Sequence, residues 1–346
     1  MTHTFRPLTA AAVTLPLLLA VPVAWAQTPD APVGERPPES RDQPDVAGVF
    51  EERGLLTPKG DWVVEPSLQY VHSSSTNVAI DGFTILPAIA IGLLNISEVQ
   101  RDTLTTSLAL RYGLSERVEV GLRLPYVWRE ESLRQRELLV GGEDPVVADS
   151  SGHGLGDVEL GLHLQFNRAV TGKPFFIGNL RMKSPTGTSP YEVERVPAQN
   201  PDGTDSGLDI LREQPTGSGF WAFQPSLTMI YPTDPAVIYG NISYLWNVER
   251  NQGEEYGRID PGDALGLSLG TGISLNNRTS ISLGYDHSMV FKTEREGVSL
   301  DPAFERIQVG SFIWGLSQRL SPRTSLNLSV AVGATSAAPD TQVSLR

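Results

Sequence analysis

The sequence lacks cysteine, is short of basic residues and has no long hydrophobic run beyond its amino terminus. With no cysteine among 346 residues, the chain is not a small disulfide-stapled scaffold. Lysine and arginine number 27 against 40 aspartates and glutamates, and the net charge of −13 argues against nucleic acid as a partner. The sequence also has no zinc signature, no phosphate-binding glycine loop and no dinucleotide fingerprint, so we expect no metal site and no cofactor.

The amino terminus has the features of a secretory signal peptide. Arg6 precedes an apolar stretch over residues 8–23, and an A-x-A cleavage site ends at Ala26. Two prolines interrupt the apolar stretch, which disfavours a membrane-anchor helix, and no later apolar run reaches the ~20 residues that a spanning helix needs. The sequence therefore predicts that residues 1–26 are removed, and that the mature chain is either a soluble exported protein or an outer-membrane barrel.

Beyond Trp62 the hydrophobic residues recur with a period of two, which is typical of strands with one apolar and one polar face. Every even-numbered residue over residues 118–128 is apolar, and residues 158–166, 265–275 and 326–332 alternate in the same way. We expect about twelve strands, which start near Trp62, Thr103, Val118, Asp157, Phe175, Phe220, Val237, Ala264, Ser280, Val309, Ser325 and Thr341.

The connections between these strands alternate in length. Short turns lie near residues 113–117, 171–174, 233–235, 276–278 and 321–323. Longer polar segments cover residues 72–101, 130–156, 184–217, 250–261 and 293–305, with a short one near 337–340. A water-soluble sandwich would also alternate apolar and polar residues, but short turns on one rim and long loops on the other are typical of outer-membrane proteins. Residues 61–346 are thus predicted to form an all-β, transmembrane antiparallel β-barrel of about 12 strands in the outer membrane of a Gram-negative bacterium, in contact with its lipid.

Several sequence blocks resemble the outer-membrane transporter family known by the "meta-pathway of phenol degradation". The blocks are Gly54–Gly60, Glu65–Tyr70, Arg111–Leu114, Leu124–Tyr126, Gly154–Glu159, Lys183–Gly187 and Pro215–Trp221. The same blocks are similar to the barrel of the pseudomonad functional-amyloid secretion pore. The resemblance implies a twelve-stranded, porin-like pore, in some members plugged by an amino-terminal helix. The coiled coil that trimerises the amyloid pore has no counterpart here, because residues 27–44 contain no heptads, and the oligomeric state stays open.

The polar face of the predicted strands supplies candidate lumen-lining residues. By strand parity these are Glu65, Arg111, Glu119, Arg123, Glu159, His163, Arg181, Lys183 and Asp286. They either bias which solutes pass or pair across neighbouring strands and fill a narrow interior. Two partners fit such a barrel: small solutes, apolar or aromatic, that diffuse through it, or an unfolded polypeptide that is exported.

A short helix is predicted ahead of the first strand. Residues 27–60 form a periplasmic tether, and within it Asp45 is a plausible N-cap while Gly54 is a natural stop. The helix would either plug the lumen, through Phe50, Glu51, Glu52 and Arg53, or cap the barrel base from the periplasm.

An enzyme is the less favoured alternative. Residues 285–288 loosely resemble a strand of outer-membrane lipases, but parity points His287 outward and Ser288 inward, so this serine cannot be its partner. We therefore expect no catalytic residues, and a purely structural barrel stays the other alternative.

Overall fold

The computed structural model describes residues 56–74, 80–81, 84–85, 96–136, 146–168, 172–199, 203–233, 236–254, 256–299 and 306–346. The predicted signal peptide, tether and short helix lie outside these ranges. No helix within them is long and apolar enough to span a membrane.

Twelve antiparallel strands form one sheet, which confirms the predicted architecture. In chain order they are β1 (Trp62–Ser73), β2 (Ile96–Ser115), β3 (Val118–Arg136), β4 (Val146–Leu155, continued by Glu159–Gln165), β5 (Phe175–Lys183), β6 (Ala222–Pro232), β7 (Ala236–Asn247), β8 (Ala264–Ser274), β9 (Thr279–Phe291), β10 (Arg306–Ser321), β11 (Thr324–Gly333) and β12 (Thr341–Leu345). The two segments of β4 pair with the same strand, β3, and so count as one strand interrupted at residues 156–158.

The sheet closes on itself between its first and last strands. β12 pairs with β11 on one side and with β1 on the other, where Leu68 faces Leu345 and His72 faces Thr341. Each remaining strand pairs with its neighbours in chain order, so the barrel has no free edge. Closure satisfies the backbone N–H and C=O groups without water, which is the condition for a strand-built protein to cross a bilayer.

Two strands begin well before their predicted positions. β2 starts at Ile96 rather than near Thr103, and β4 starts at Val146 rather than near Asp157. The predicted long loop over residues 130–156 is therefore wrong, because β3 continues to Arg136 and pairs with the first segment of β4. These extensions do not alternate apolar and polar residues, because residues 129–136 are mostly polar on both faces and residues 146–148 are apolar in succession, and so the period of two does not reveal them.

Other predicted loops also carry small sheets. Arg195–Gln199 pairs with Asp205–Leu211 between β5 and β6, and Ile80–Asp81 pairs with Thr84–Ile85 between β1 and β2. A four-stranded sheet joins the connections after β7 and β9, and its strands are Arg250–Asn251, Arg258–Asp260, Glu294–Arg295 and Val298–Ser299.

The outer surface of the barrel is an apolar belt. Leucines, isoleucines, valines and aromatic residues at alternate positions of the strands are exposed, among them Leu269 at 54% and Ile242 at 52%. Trp62 and Trp246 lie near strand ends on the same surface, whereas Trp128 lies within the long strand β3. An apolar surface of this extent around a closed barrel is stable only in lipid, and tryptophan near strand ends is typical of the two bilayer interfaces. The barrel therefore spans the outer membrane.

The free energy of unfolding that a charged residue costs on the outer surface should depend on how far that residue lies from the middle of the bilayer. Leu269 lies in the middle of β8, whereas Leu275, exposed to 57%, follows its last residue. We expect Leu269→Arg to lower the free energy of unfolding by about 2–4 kcal/mol and Leu275→Arg by about 0–1 kcal/mol. Urea unfolding in lipid vesicles, followed by heat-modifiable gel mobility, measures both. Equal losses for the two variants would contradict the belt assignment.

Candidate functional site: the charged interior wall

All nine predicted lumen residues lie on the face of the sheet opposite the apolar belt. Eight of them are on the adjacent strands β1–β5, and the ninth, Asp286, lies in the middle of β9. The register brings inward residues side by side, as with Arg123 and Glu159, Glu119 and His163, and Glu159 and Lys183. One sector of the interior wall is therefore highly charged.

Ion pairs join the charged residues of neighbouring strands. An Arg111 Nη2–H donates to Glu65 Oε2 at 2.9 Å, and Arg111 Nη1 lies 4.0 Å from Glu119 Oε1. Further round the wall, Arg123 Nη1 is 3.3 Å from one oxygen of Glu159, and Arg181 Nη1 is 3.8 Å from the other. We call Arg123, Glu159 and Arg181 the Arg–Glu–Arg triad. Pairing of this kind offsets the cost of holding charges away from bulk water.

Uncharged hydrogen bonds continue the polar wall from β4 to β7. His163 Nδ1 and Asn179 Oδ1 are 2.7 Å apart, and the Asn179 amide donates to Ser226 Oγ and Thr228 Oγ1, both at 3.1 Å. The Asn241 amide in turn donates to Thr228 Oγ1 at 2.8 Å. His163 is thus part of a structural network of side chains.

The opposite wall is built from small residues. The inward positions of β8 and β9 are mostly glycine and serine, and Asp286 pairs in register with Ser268. Tyr239 of β7 lies over two of these glycines, and a Cβ at Gly270 would overlap its hydroxyl. The interior therefore has a charged wall facing a small-residue wall with a single carboxylate.

A segment between β5 and β6 folds into the barrel on the side of the long loops. Residues 214–220 are buried, and an Arg129 Nη1–H donates to the Pro215 carbonyl at 2.9 Å. The Gln214 amide donates to Ser150 Oγ at 2.7 Å. Gly152 is required beneath this segment, since a Cβ there would overlap the Gln214 carbonyl. The segment narrows the lumen along the inner face of β3 and β4.

A buried cluster holds this segment at the interruption in β4. The Ser218 N–H and hydroxyl donate to Asp157 Oδ2 at 2.9 and 2.7 Å, and the Gly187 N–H donates to Oδ1 at 3.1 Å. Lys183 Nζ lies 3.3 Å from Asp157 Oδ2 and also donates to Ser218 Oγ. We call Asp157, Lys183, Gly187 and Ser218 the clasp. Three of the sequence blocks that carry the family resemblance, around residues 154–159, 183–187 and 215–221, meet here.

Burial removes two of the predicted lumen residues, Lys183 and Glu119, from contact with a solute. Lys183 is only 1% exposed, and Glu119 is 2% exposed, so neither presents a surface to a solute although both point inward. Asp157 was predicted only as the start of a strand. Its acidic side chain within a glycine-rich block was the available signal, but no spacing rule links it to Ser218, 61 residues away.

The chain ahead of β1 enters the barrel from the short-turn rim. The Thr57 N–H and hydroxyl donate to Glu119 Oε2 at 2.7 and 2.5 Å, and Thr57 is buried. The Gly60 N–H donates to the Gly113 carbonyl at 2.8 Å. The plug candidates Phe50, Glu51, Glu52 and Arg53 lie outside the described residues.

The lipase-like segment has no catalytic arrangement around His287. Its Nε2 is 2.6 Å from Gln308 Oε1, and its Nδ1 is 3.2 Å from the Tyr285 hydroxyl. Ser288 lies on the other face, where its Oγ is close to Gly266. The two ring nitrogens of His287 thus face a glutamine amide oxygen and a tyrosine hydroxyl, and the adjacent Ser288 is not its partner.

A solved outer membrane channel from Pseudomonas putida F1 is similar to this chain, with 13% identity, a TM-score of 0.55, and coverage of 90% of this chain and 98% of that one. The fold is that of an outer-membrane channel. Lower similarity is found to the toluene transporter TodX of Pseudomonas putida, with 13% identity, a TM-score of 0.40, and coverage of 84% of this chain and 78% of that one. A FadL homologue of Pseudomonas aeruginosa has 10% identity, a TM-score of 0.38, and coverage of 83% and 75%.

The sequence resemblance is confirmed over the second part of the chain. Residues 209–346 match the family described as "Putative MetA-pathway of phenol degradation". The match begins just before the inward segment of residues 214–220 and covers β6–β12.

The clasp should matter more to stability than an exposed ion pair. Lys183→Met leaves Asp157 as a buried charge without its cation, and we expect the free energy of unfolding to fall by about 3–5 kcal/mol. The double variant Lys183→Met/Asp157→Asn should recover part of this loss. Arg212→Met, which removes an exposed pair with Glu194, should have no measurable effect. Urea unfolding in vesicles compares the three, and a Lys183→Met variant as stable as the wild type would contradict the assignment.

Proposed function

We propose that the protein is a passive outer-membrane channel for small solutes, apolar or aromatic. The observation that carries this proposal is that the inward ion pairs that the structure describes join neighbouring strands and do not cross the lumen. Among the described residues, the pairs of Arg101, Arg111, Arg123 and Arg181 all run along the wall to a neighbouring strand. Pairing along the wall partners these four arginines without placing side chains across the barrel axis, so a solute path is compatible with the ion pairs of the charged wall.

Two further observations support this function and its solute class. The relative from Pseudomonas putida F1 bears the name of an outer membrane channel, and the family matched by residues 209–346 is named for phenol degradation. Guanidinium groups along the wall and the Tyr239 ring offer planar surfaces on which an aromatic solute can stack. The inward segment of residues 214–220 narrows the lumen, which disfavours the export of an unfolded polypeptide.

Conductance in planar bilayers tests the proposal. Protein recovered from outer membranes, with its folded state checked by heat-modifiable gel mobility, should form channels that stay open under an applied voltage. Their conductance should be small, because residues 214–220 occupy part of the lumen. Swelling of proteoliposomes in small aromatic solutes should exceed swelling in sugars of similar mass. A barrel that inserts without conductance would instead indicate a structural role.

We also propose that the segment ahead of Thr57 plugs the lumen. The proposal is supported by Thr57, which is buried and bonded to the inward residue Glu119, so that the described chain reaches the inside of the barrel mouth at this residue. Deleting residues 27–55, while keeping Leu56–Gly60 and its contacts, should raise the single-channel conductance. An unchanged conductance would remove the plug and leave a periplasmic segment at the barrel base.

A further inference from the structure

We propose that the Arg–Glu–Arg triad is a recognition subsite for the carboxylate of small aromatic acids. This inference rests on the proposed channel function and names one class of solute for it. The subsite consists of the inward guanidinium groups of Arg123 on β3 and Arg181 on β5, held by Glu159 on the strand between them.

The triad presents its cations rather than its anion to the lumen. The side chains of Arg123 and Arg181 are 33% and 36% exposed, whereas that of Glu159 is 11% exposed. Two arginines less one glutamate leave one positive charge at the wall. Because the side chain of Glu159 is largely covered and those of the two arginines are partly exposed, a solute meets a net positive surface there even though the wall as a whole is nearly balanced.

Hydrogen bonds to neighbouring side chains also fix the orientation of the two guanidinium groups. The Arg123 Nε–H donates to Ser107 Oγ at 3.1 Å, and an Arg181 Nη2–H donates to Gln224 Oε1 at 2.6 Å. A guanidinium group carries five N–H donors, and within the part of the chain that the structure describes Arg123 is hydrogen-bonded through Nε and Nη1, so its Nη2 group can serve a ligand. Preorganised guanidinium forks bind a carboxylate more strongly than flexible ammonium groups do.

The opposite wall suits the ring of such a solute. Asp286 lies on β9, five strands from β4 in a barrel of twelve, and therefore faces the triad from nearly the far side. Its inward neighbours on β8 and β9 are mostly glycine and serine, and the Tyr239 side chain lies over two of these glycines, so the Tyr239 ring is the planar surface on which an aromatic solute can stack. The negative charge of Asp286 repels a carboxylate toward the arginines. The two walls therefore orient an aromatic acid with its carboxylate toward the triad and its ring toward Tyr239.

Block of the channel current by benzoate tests this subsite. The informative variant is Arg123→Gln/Glu159→Gln/Arg181→Gln, which removes the whole triad and leaves no buried charge unpaired. Its control is Arg101→Gln, which removes one positive charge from another inward pair, with Glu131, in which both partners are about equally covered. The two variants change the lumen charge by the same amount, and benzyl alcohol serves as the uncharged probe.

We expect the half-blocking benzoate concentration to rise about tenfold in the triad variant and to stay near the wild-type value in the control, since charge-assisted hydrogen bonds are lost only in the former. Benzyl alcohol should act equally on all three proteins. Benzoate block that is unchanged in the triad variant, or that weakens equally in the control, would overturn the subsite.

A wild-type protein without conductance would contradict the channel function instead. In that case calorimetric titration of benzoate into the detergent-solubilised wild type and triad variant still decides the subsite. Equal binding to the two proteins overturns it, and loss of binding in the triad variant supports it.

Discussion

The need to satisfy every backbone hydrogen bond without water is the constraint on which this structure depends. An open sheet edge within lipid would leave unpaired N–H and C=O groups at a cost of several kcal/mol each, so the twelve strands must close. The shortest strand, β12, closes the barrel, because its five residues pair with β11 on one side and with β1 on the other. Arg346 extends the ladder by one step, since its N–H and C=O exchange hydrogen bonds with Asn327 at 2.9 Å.

Closure in lipid also decides where charge can reside. The outward face must be apolar, so polar side chains that the strands carry are confined to the interior, where they have to find partners on the wall itself. On β1–β5 the partners are arginines and glutamates of neighbouring strands, directly in register for Arg123 and Glu159 and diagonal for Arg111 and Glu65. On β8 and β9 the inward positions hold mostly glycine and serine, so one side of the interior is charged and the opposite side is nearly uncharged.

The sequence pattern predicts the apolar belt, but it does not predict the clasp. Lipid on one face and polar groups on the other impose a period of two, and this period places Arg123, Glu159, Arg181 and Asp286 on the inward face without any structure. The period is absent where residues of one kind follow each other, as in the apolar run 146–148, and so it does not predict that β4 starts at Val146. The bond between Asp157 and Ser218 joins residues 61 positions apart through a loop, and no local pattern specifies such a contact.

Strand parity links the clasp to the charged wall beneath it. Lys183 follows Arg181 by two residues, and Asp157 precedes Glu159 by two, so each pair lies on the same inward face one step apart. Because β5 runs toward the rim of long loops, the clasp and the inward segment that it holds lie on that side of the Arg–Glu–Arg triad. A solute that enters from the long-loop rim therefore passes the inward segment before it meets the arginines. The narrowing and the proposed recognition subsite are thus arranged in series along β4 and β5, and the clasp that holds the narrowing segment is built on the interruption at residues 156–158.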